Sequence, residues 1–468
     1  MNLLNARLSP AQPGKNHSGV LAVVVALFLA AVDSTIVSTV LPTISQQLGH
    51  PALWPWVMSA FLLPVALVAP LAGACGDRFG VSAMLKACLL IFLAASVLAA
   101  VSATMPMLIL ARALQGIGAG GIIVLSYSLL AELFDAERRG RMQGMLSGVW
   151  GLSAIAGPLL GSALSAAFGW RAIFWLNIPT GLLAMALLFV APAVSKRSGK
   201  ARLDVPGQGA LIVAACCLLL LTALPERGPG PIGILTTGLL LGLLVLIARV
   251  RRQPESSPIP LPLFQQRRLF PIIVLVLLSS AGLYAAVTLL PLALSQQTIG
   301  VPTGLLVMLA ALGWVAGAAV CGAKLAAAGY RRMAAGGMLQ LAAGGLLMAW
   351  AIAQQQPWLM ATALLLIGLG MGFTATTTLV LAQNAAPPER LGAWTATVQF
   401  LRNLGAALGV NILATVQLHL SGMCAFPICF IILGVSMLAG LIFTLLLPRA
   451  YPAKKPENRT DGYRDVKQ

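Results

Sequence analysis

Long apolar runs, separated by short polar segments, occupy most of this chain and limit what it can fold into. Of its 468 residues, 59% are hydrophobic and 9% are charged, whereas soluble domains carry roughly 25% charged residues. Several runs reach the length of about 20 residues that a helix needs to cross the hydrocarbon core of a bilayer. The sequence therefore predicts an all-α, polytopic membrane protein.

Proline, glycine and charged clusters divide the chain into fourteen apolar runs. They lie near residues 20–41, 54–74, 84–103, 107–131, 143–167, 172–193, 207–224, 231–248, 270–294, 303–323, 333–353, 358–383, 393–416 and 425–447. The basic residues test this division, because Lys and Arg concentrate on the cytoplasmic side of membrane proteins. With a cytoplasmic N terminus, 26 of the 30 Lys and Arg residues fall on that side, and only Arg171 and Arg227 fall opposite. This pattern predicts fourteen spans with both termini in the cytoplasm.

Four sequence patterns recur in the same order at offsets of 248 to 252 residues. The pairs are GACGDRFG (73–80) with GAKLAAAG (322–329), AERRG (136–140) with PERLG (388–392), GPLLG (157–161) with GAALG (405–409), and glycines 116, 118 and 120 with glycines 368, 370 and 372. Runs 1 to 6 and 9 to 14 therefore look like two copies of one six-helix unit. Many secondary transporters are duplicated in this way, with the substrate site between the halves.

The repeat and the two runs between its copies predict five segments. These are a cytoplasmic N-terminal tail (1–19), an N-terminal six-helix half (20–193), loops with two inserted helices (194–269), a C-terminal six-helix half (270–447) and a cytoplasmic C-terminal tail (448–468).

Asp33 is the one acidic residue deep within an apolar run. An ionised Asp near the middle of a membrane helix costs at least about 2.5 to 3.5 kcal/mol, so such residues usually have a function. A proton-coupled transporter needs a group that gains and loses a proton, and Arg112 in the fourth run is a candidate partner that would tune it. We interpret Asp33 as the proton site. The alternative is a structural carboxylate bonded locally to Ser34, Thr35 or Ser38.

Arg112 belongs to the segment LILARALQGIGAGG (108–121). It could snorkel to the membrane surface along the outside of the bundle. However, Gly116 and Gly120 follow at steps of four, so the same helix face admits another helix closely. We therefore expect Arg112 to face the interior.

Two further glycine-containing segments have a physical interpretation. In GACGDRFG, Gly73 and Gly80 permit a tight turn, and Asp77 beside Arg78 can lie against a helix N terminus or a basic residue of the other half. The alternative for Asp77 is a plain loop turn. The segment WGLSAIAGPLLGS (150–162) carries small residues at steps of three and four, which suits close helix packing, and a proline that can kink the helix.

These segments resemble motifs of the major facilitator superfamily. GACGDRFG resembles its cytoplasmic loop signature, LILARALQGIGAGG its span 4 motif, and WGLSAIAGPLLGS its span 5 antiporter motif. DSTIVSTVLP (33–42), GWRAIFWLNIPTG (169–181) and FLRNLGAALGV (400–410) look like signatures of the fourteen-span drug:proton antiporters of the EmrB/QacA type. The resemblance implies a gating loop at Gly73, Asp77, Arg78 and Gly80 and an antiporter motif at Gly151, Gly157, Pro158 and Gly161.

The resemblance implies export of small amphipathic or toxic compounds, as in multidrug efflux, in exchange for protons by alternating access. The same fold exporting a specific metabolite or an organic anion is the alternative. Large or polar side chains that would line a substrate cavity are Trp150, Asn177, Tyr284, Trp314, Phe373 and Arg402. For each of them, packing or contact with lipid is the competing interpretation.

Other classes of protein lack sequence support. The three His and seven Cys residues form no metal-binding pattern, and no enzyme active site or cofactor is expected beyond the proton gradient as energy source. A sensor or scaffold would need a soluble output domain. The net charge of +18 lies in short loops, which indicates topology and not nucleic-acid binding. The expected partners are a small molecule, protons, the bilayer of the bacterial inner membrane and, optionally, a periplasmic adaptor; otherwise we expect a monomer.

Overall fold

The computed structural model describes residues 16–48, 54–134, 136–191, 204–223, 229–253, 256–295, 303–420 and 425–449. These residues form fifteen α-helices and a short 3-10 helix at Pro388–Arg390. The α-helices are α1 (Asn16–Leu48), α2 (Trp54–Phe79), α3 (Val81–Ala100), α4 (Met105–Leu133), α5 (Ala136–Phe168), α6 (Ala172–Val190), α7 (Val205–Ala223), α8 (Pro229–Arg252), α9 (Pro262–Gln265), α10 (Phe270–Ser295), α11 (Thr303–Ala328), α12 (Tyr330–Ala353), α13 (Pro357–Ala385), α14 (Leu391–His419) and α15 (Ala425–Thr444).

Thirteen helices within these ranges are long and apolar enough to cross a membrane. The long helix outside this group is α14, which carries Gln399, Arg402 and Asn403 near its middle. The chain is therefore an all-helical, multi-pass membrane protein. The expectation of exactly fourteen spans remains a prediction.

Helix packing follows the sequence repeat. Among the first six helices, α4 packs on α2 and α3, and α1 packs on α5 and α6. Among the last six, α13 packs on α11 and α12, and α10 packs on α14 and α15. We call these groups the N-terminal set (α1–α6) and the C-terminal set (α10–α15). Between the sets, α2 packs on α14 and α5 packs on α11, so the contacts between the sets are also related by the repeat.

Glycines bring equivalent helices together in each set. A Cβ atom at Gly116 of α4 would collide with the backbone carbonyl of Phe61 in α2. A Cβ atom at Gly368 of α13 would collide with the carbonyl of Ala310 in α11. Because these contacts involve backbone atoms, larger residues would force the helices apart.

The helices α7 and α8 pack on each other, and α7 also contacts α14 and α2. Arg249 of α8 forms an ion pair with the buried Asp204 at the start of α7, with Arg249 Nη2 2.6 Å from Asp204 Oδ1. The Asn411 amide of α14 donates to the Thr222 hydroxyl of α7 over 3.0 Å. Most of the large apolar side chains of α8 are exposed, so this pair lies at the edge of the bundle.

Candidate functional site

Asp33 on α1 and Arg112 on α4 form a buried ion pair. Arg112 Nη1 lies 2.5 Å from Asp33 Oδ2, and the two side chains are 0% and 1% exposed, respectively. Arg112 Nε also donates to the Val57 carbonyl over 3.4 Å. The guanidinium carbon lies 4.1 Å from the centre of the Phe61 ring. The Arg112 side chain therefore points into the helix bundle.

Three further polar side chains complete this cluster, which we call the Asp33 network (Asp33, Ser96, Arg112, Gln115 and Asn177). Asn177 Nδ2 of α6 donates to Asp33 Oδ1 over 3.0 Å and to Ser96 Oγ of α3 over 3.2 Å. Gln115 accepts from Arg112 over 2.9 Å and donates to Ser96 over 2.9 Å. All five side chains are buried. Both carboxylate oxygens of Asp33 are thus bonded within the N-terminal set.

The alternative for Asp33 is a carboxylate that bonds to the nearby hydroxyls of Ser34, Thr35 or Ser38 on its own helix. The Ser34 hydroxyl donates to the Ala31 carbonyl over 2.7 Å, and the Thr35 hydroxyl donates to the Val32 carbonyl over 3.0 Å. The Ser38 side chain lies outside the described residues. The bonds described for Asp33 come from Arg112 of α4 and Asn177 of α6, so Asp33 joins three helices.

Gln115 and Ser96 were not among the predicted site residues, and Asn177 was predicted to line the substrate cavity. Gln115 follows Arg112 by three residues and therefore shares its helix face. This spacing was the available signal for Gln115. Nothing in the sequence distinguishes Ser96 from the other serines of the apolar runs.

The predicted antiporter motif of α5 lies between α1 and the C-terminal set. A Cβ atom at Gly157 would collide with the Thr35 side chain, two residues from Asp33. A Cβ atom at Gly151 would collide with Val315 of α11. Gly161 is buried, and the Pro158 side chain lies outside the described part. Helix α5 thus connects the helix of Asp33 with the opposite set.

A second polar cluster contains Arg402 of α14, which is 6% exposed. The Tyr127 hydroxyl of α4 accepts a hydrogen bond from Trp150 Nε1 of α5 over 3.1 Å, and Arg402 lies close to this hydroxyl. Gln399 of α14 lies near Tyr127, and Tyr284 of α10 lies near Arg402 and Tyr127. We call these residues the Arg402 cluster (Tyr127, Trp150, Tyr284, Gln399 and Arg402). It draws side chains from both sets.

Three of the six predicted cavity residues meet in the Arg402 cluster, namely Trp150, Tyr284 and Arg402. Trp314 and Phe373 lie on α11 and α13 and are half-buried against the main apolar core. Gln399 was missed, although it precedes Arg402 by three residues, the same separation as between Arg112 and Gln115.

The predicted gating loop lies at the contact between α2 and α14. Asp77 Oδ1 accepts the Gly392 amide over 2.7 Å, and Asp77 Oδ2 accepts the Ala393 amide over 2.8 Å. Gly73 lies against the Gly392 carbonyl. Arg78 is exposed, with its guanidinium carbon 5.3 Å from the centre of the Phe79 ring. Gly80 takes a φ of 95° between α2 and α3, which favours glycine.

The two clusters differ in their chemistry. The Asp33 network contains an ion pair between a carboxylate and a guanidinium group. Arg402 lies instead among neutral side chains. Within the described ranges, no group of three or more His, Cys, Asp or Glu residues is placed to hold a metal ion.

Comparison with known proteins gives consistent matches. The sequence profile of the Major Facilitator Superfamily matches residues 23–410. An uncharacterized MFS-type transporter of Mycobacterium tuberculosis is 30% identical over 394 residues, which are 83% of this chain and 57% of that protein. The multidrug transporter protein MdtP of Bacillus subtilis is 27% identical over 408 residues, 85% of this chain and 75% of its own.

Among solved structures, the human organic anion transporter MFSD10 superposes with a TM-score of 0.69 at 18% identity, covering 92% of this chain and all of that one. This likeness concerns the fold alone. The chain spans only about three-fifths of the length of the mycobacterial relative.

Proposed function

Because the chain belongs to the Major Facilitator Superfamily, we propose that it exports small amphipathic or toxic compounds in exchange for protons. Its relatives include proteins named multidrug transporters and efflux pumps, which supports export. We assign it to the fourteen-span EmrB/QacA type, with six-helix halves at 20–193 and 270–447 and an inserted pair between them. The edge position of α7 and α8 supports this assignment.

The observation that carries the proposal is the Asp33 network. Among the described residues, Asp33 is the acid buried within a candidate span. Protonation of its carboxylate breaks the ion pair with Arg112 and weakens the hold between α1 and α4. Since α1 packs on α5, and α5 packs on α11, the change reaches the contact between the two sets.

Transport then follows from rocking of the two sets about a central site. Contacts between α2 and α14 and between α5 and α11 at the predicted cytoplasmic face support a state that is closed there. A proton binds Asp33 in the outward-open state and leaves in the inward-open state. Both termini lie in the cytoplasm in this arrangement, and the transporter works as a monomer in the inner membrane, with a periplasmic adaptor as an optional partner.

The alternative is that the same fold exports a specific metabolite or an organic anion. A specific observation favours it, because Arg402 lies at the meeting of both sets without a neighbouring carboxylate among the described residues.

The test is Asp33→Asn in everted membrane vesicles. Uptake of ethidium and of 2-naphthoate is measured with an imposed pH gradient and, separately, as exchange without a gradient. We expect the gradient-driven component to fall at least about tenfold while exchange persists, because Asn keeps the shape of Asp but binds no proton. The matched control is Asp204→Asn, which removes a second buried and ion-paired acid and should leave coupling unchanged. If Asp33→Asn retains gradient-driven uptake, Asp33 is not the proton site.

A further inference from the structure

We propose that the Arg402 cluster binds the anionic group of the exported compound, with an aromatic or amphipathic carboxylate as the ligand class. The proposal rests on the export function above and names its substrate class. In contrast to a general multidrug site, this subsite selects its ligand by charge, through the guanidinium group of Arg402.

Among the described residues, no carboxylate balances the charge of Arg402. The Arg402 side chain is 6% exposed, and its Nε and Nη2 atoms have no hydrogen-bond partner. Arg112 and Arg249, in contrast, each pair with an aspartate. A buried charge without a counter-ion is costly, and an incoming anion removes that cost.

The two unpartnered nitrogens of Arg402 have the geometry to bind an anion. In a guanidinium group, the Nε–H bond and one Nη2–H bond run parallel along the same edge. This edge matches the two oxygens of a carboxylate or phosphate in a bidentate pair. Gln399 Nε2, three residues before Arg402, is also buried without a partner. The cluster therefore offers three unused donors and no acid.

The Arg402 cluster lies where the two helix sets meet. Tyr127 and Trp150 belong to the N-terminal set, whereas Tyr284, Gln399 and Arg402 belong to the C-terminal set. A ligand here would touch both sets, as alternating access requires. Tyr284 retains 37% exposure, and its ring with the Trp150 indole provides flat apolar surface for the body of an aromatic ligand.

The Asp33 network disfavours a cationic ligand. Both oxygens of Asp33 are already bonded to Arg112 and Asn177, so a cationic compound would have to displace the arginine. Export of an anion with entry of a proton also moves charge in one direction. An inside-negative membrane potential therefore assists each step, by about 2.3 kcal/mol per charge per 100 mV.

The binding test uses the purified full-length chain in detergent and three probes of matched shape, namely 2-naphthoate, 2-naphthamide and 2-naphthylmethylammonium. Equilibrium dialysis measures the dissociation constant of each. We expect the wild type to bind the carboxylate at least about tenfold more tightly than the other two probes. Arg402→Gln should abolish this preference, and Arg402→Lys should retain part of it, because an ammonium group lacks the bidentate edge.

Two measurements separate binding from a structural role. The matched control is Arg171→Gln, which removes a half-buried arginine that donates to the Ser102 carbonyl over 2.9 Å and should keep the preference. The melting temperature of the ligand-free protein should stay equal or rise in Arg402→Gln, because an unpaired buried charge is removed. A large fall would assign Arg402 to folding and overturn the proposal.

The proposal and the transport function fail in different ways. If the carboxylate preference is present but gradient-driven transport is absent, the subsite stands and the proposed function is wrong. If transport of ethidium is proton-coupled and the wild type binds the three probes equally or binds none, the subsite is wrong. Retention of the preference in Arg402→Gln also overturns it.

Discussion

The N-terminal and C-terminal helix sets meet at two crossings. The two crossings have equivalent glycine contacts but different charged contacts. At the first crossing, Gly73 of α2 lies against the carbonyl of Gly392 in α14. At the second, Gly322 of α11 lies against the carbonyl of Gly140 in α5. The sequence repeat relates Gly73 to Gly322 and Gly140 to Gly392, so the close approach is duplicated.

The first crossing is held by an acid at a helix N terminus, because Asp77 accepts the amides of Gly392 and Ala393. The second is held by a base at helix C termini. Arg139 donates to the Asn384 side chain over 2.8 Å and the Gln383 carbonyl over 3.2 Å near the end of α13, and to the Ala131 carbonyl over 3.0 Å near the end of α4. Each charge complements the helix dipole that it faces.

The start of the partner helix explains the difference. Helix α14 begins at Leu391, so the amides of Gly392 and Ala393 lie in its first turn and have no partner within the helix. Helix α5 begins at Ala136, which places Gly140 beyond its first four amides. A carboxylate near Gly140 therefore has no free amide to bind. The comparison shows that duplication preserves the backbone contact while each crossing acquires its own charged contact.

The largest expected effect comes from Gly73→Ala and Gly322→Ala, which should open both crossings alike. Either Cβ atom would collide with a backbone carbonyl, which cannot move away as a side chain could. The closed state should therefore be destabilised by about 3 kcal/mol. Spin labels at Phe79 and Glu389 report the first crossing through pulsed electron paramagnetic resonance distances. Gly148→Ala is the matched control, because no atom of a neighbouring helix lies within 4 Å of its added Cβ. Unchanged distances in Gly73→Ala would contradict the packing argument.

Arg139→Gln should weaken the second crossing by about 2 kcal/mol, since it removes hydrogen bonds from a charged donor to the ends of two helices. Faster hydrogen exchange is expected near residues 383–386, with no change near residues 391–394. Arg138→Gln serves as the control, because the neighbouring Arg138 is exposed. Equal exchange changes at both crossings would mean that they are not held separately.

Asp77→Asn should weaken the first crossing by about 1 kcal/mol. The amide of Asn keeps one acceptor but loses the charge that favours the N terminus of α14. Hydrogen exchange of the Gly392 and Ala393 amides is the direct measurement, and it should accelerate about fivefold. Asp77→Glu keeps the charge but lengthens the side chain, so it tests whether the distance from the carboxylate to the two amides matters. If Asp77→Asn leaves the exchange rates unchanged, the capping bonds do not hold the crossing.

Several parts of this arrangement were predictable from the sequence. Apolar runs predicted the membrane helices, but α5 starts at Ala136 and not near residue 143, because apolar length marks the bilayer and not the end of a helix. The repeat pointed to the glycines of both crossings. The glycines on the Arg112 face predicted that Arg112 faces the interior of the bundle. The single deep acid, Asp33, was its predicted partner.

The remaining contacts depend on distances that no local pattern contains. From the sequence, the predicted partner of Asp77 was either a helix N terminus or a basic residue. Which of the two it contacts depends on the 3-10 turn at Pro388–Arg390, which ends just before α14. Gln115 and Gln399 were visible only as polar residues three positions from an arginine. The contacts that Gln115 and Gln399 make depend on which neighbouring helices pack against them.

The smallest expected effect comes from Ala326→Asp, which places an acid at the position in the second crossing that corresponds to Asp77. Ala326 is exposed, and Gly140 of α5 lies beyond the first four amides of its helix, so the new carboxylate gains no cap. We expect a change within about 0.5 kcal/mol, seen as unaltered hydrogen exchange at residues 138–142. An increase in protection comparable to the loss in Asp77→Asn would show that the start of the partner helix does not decide which crossing uses an acid.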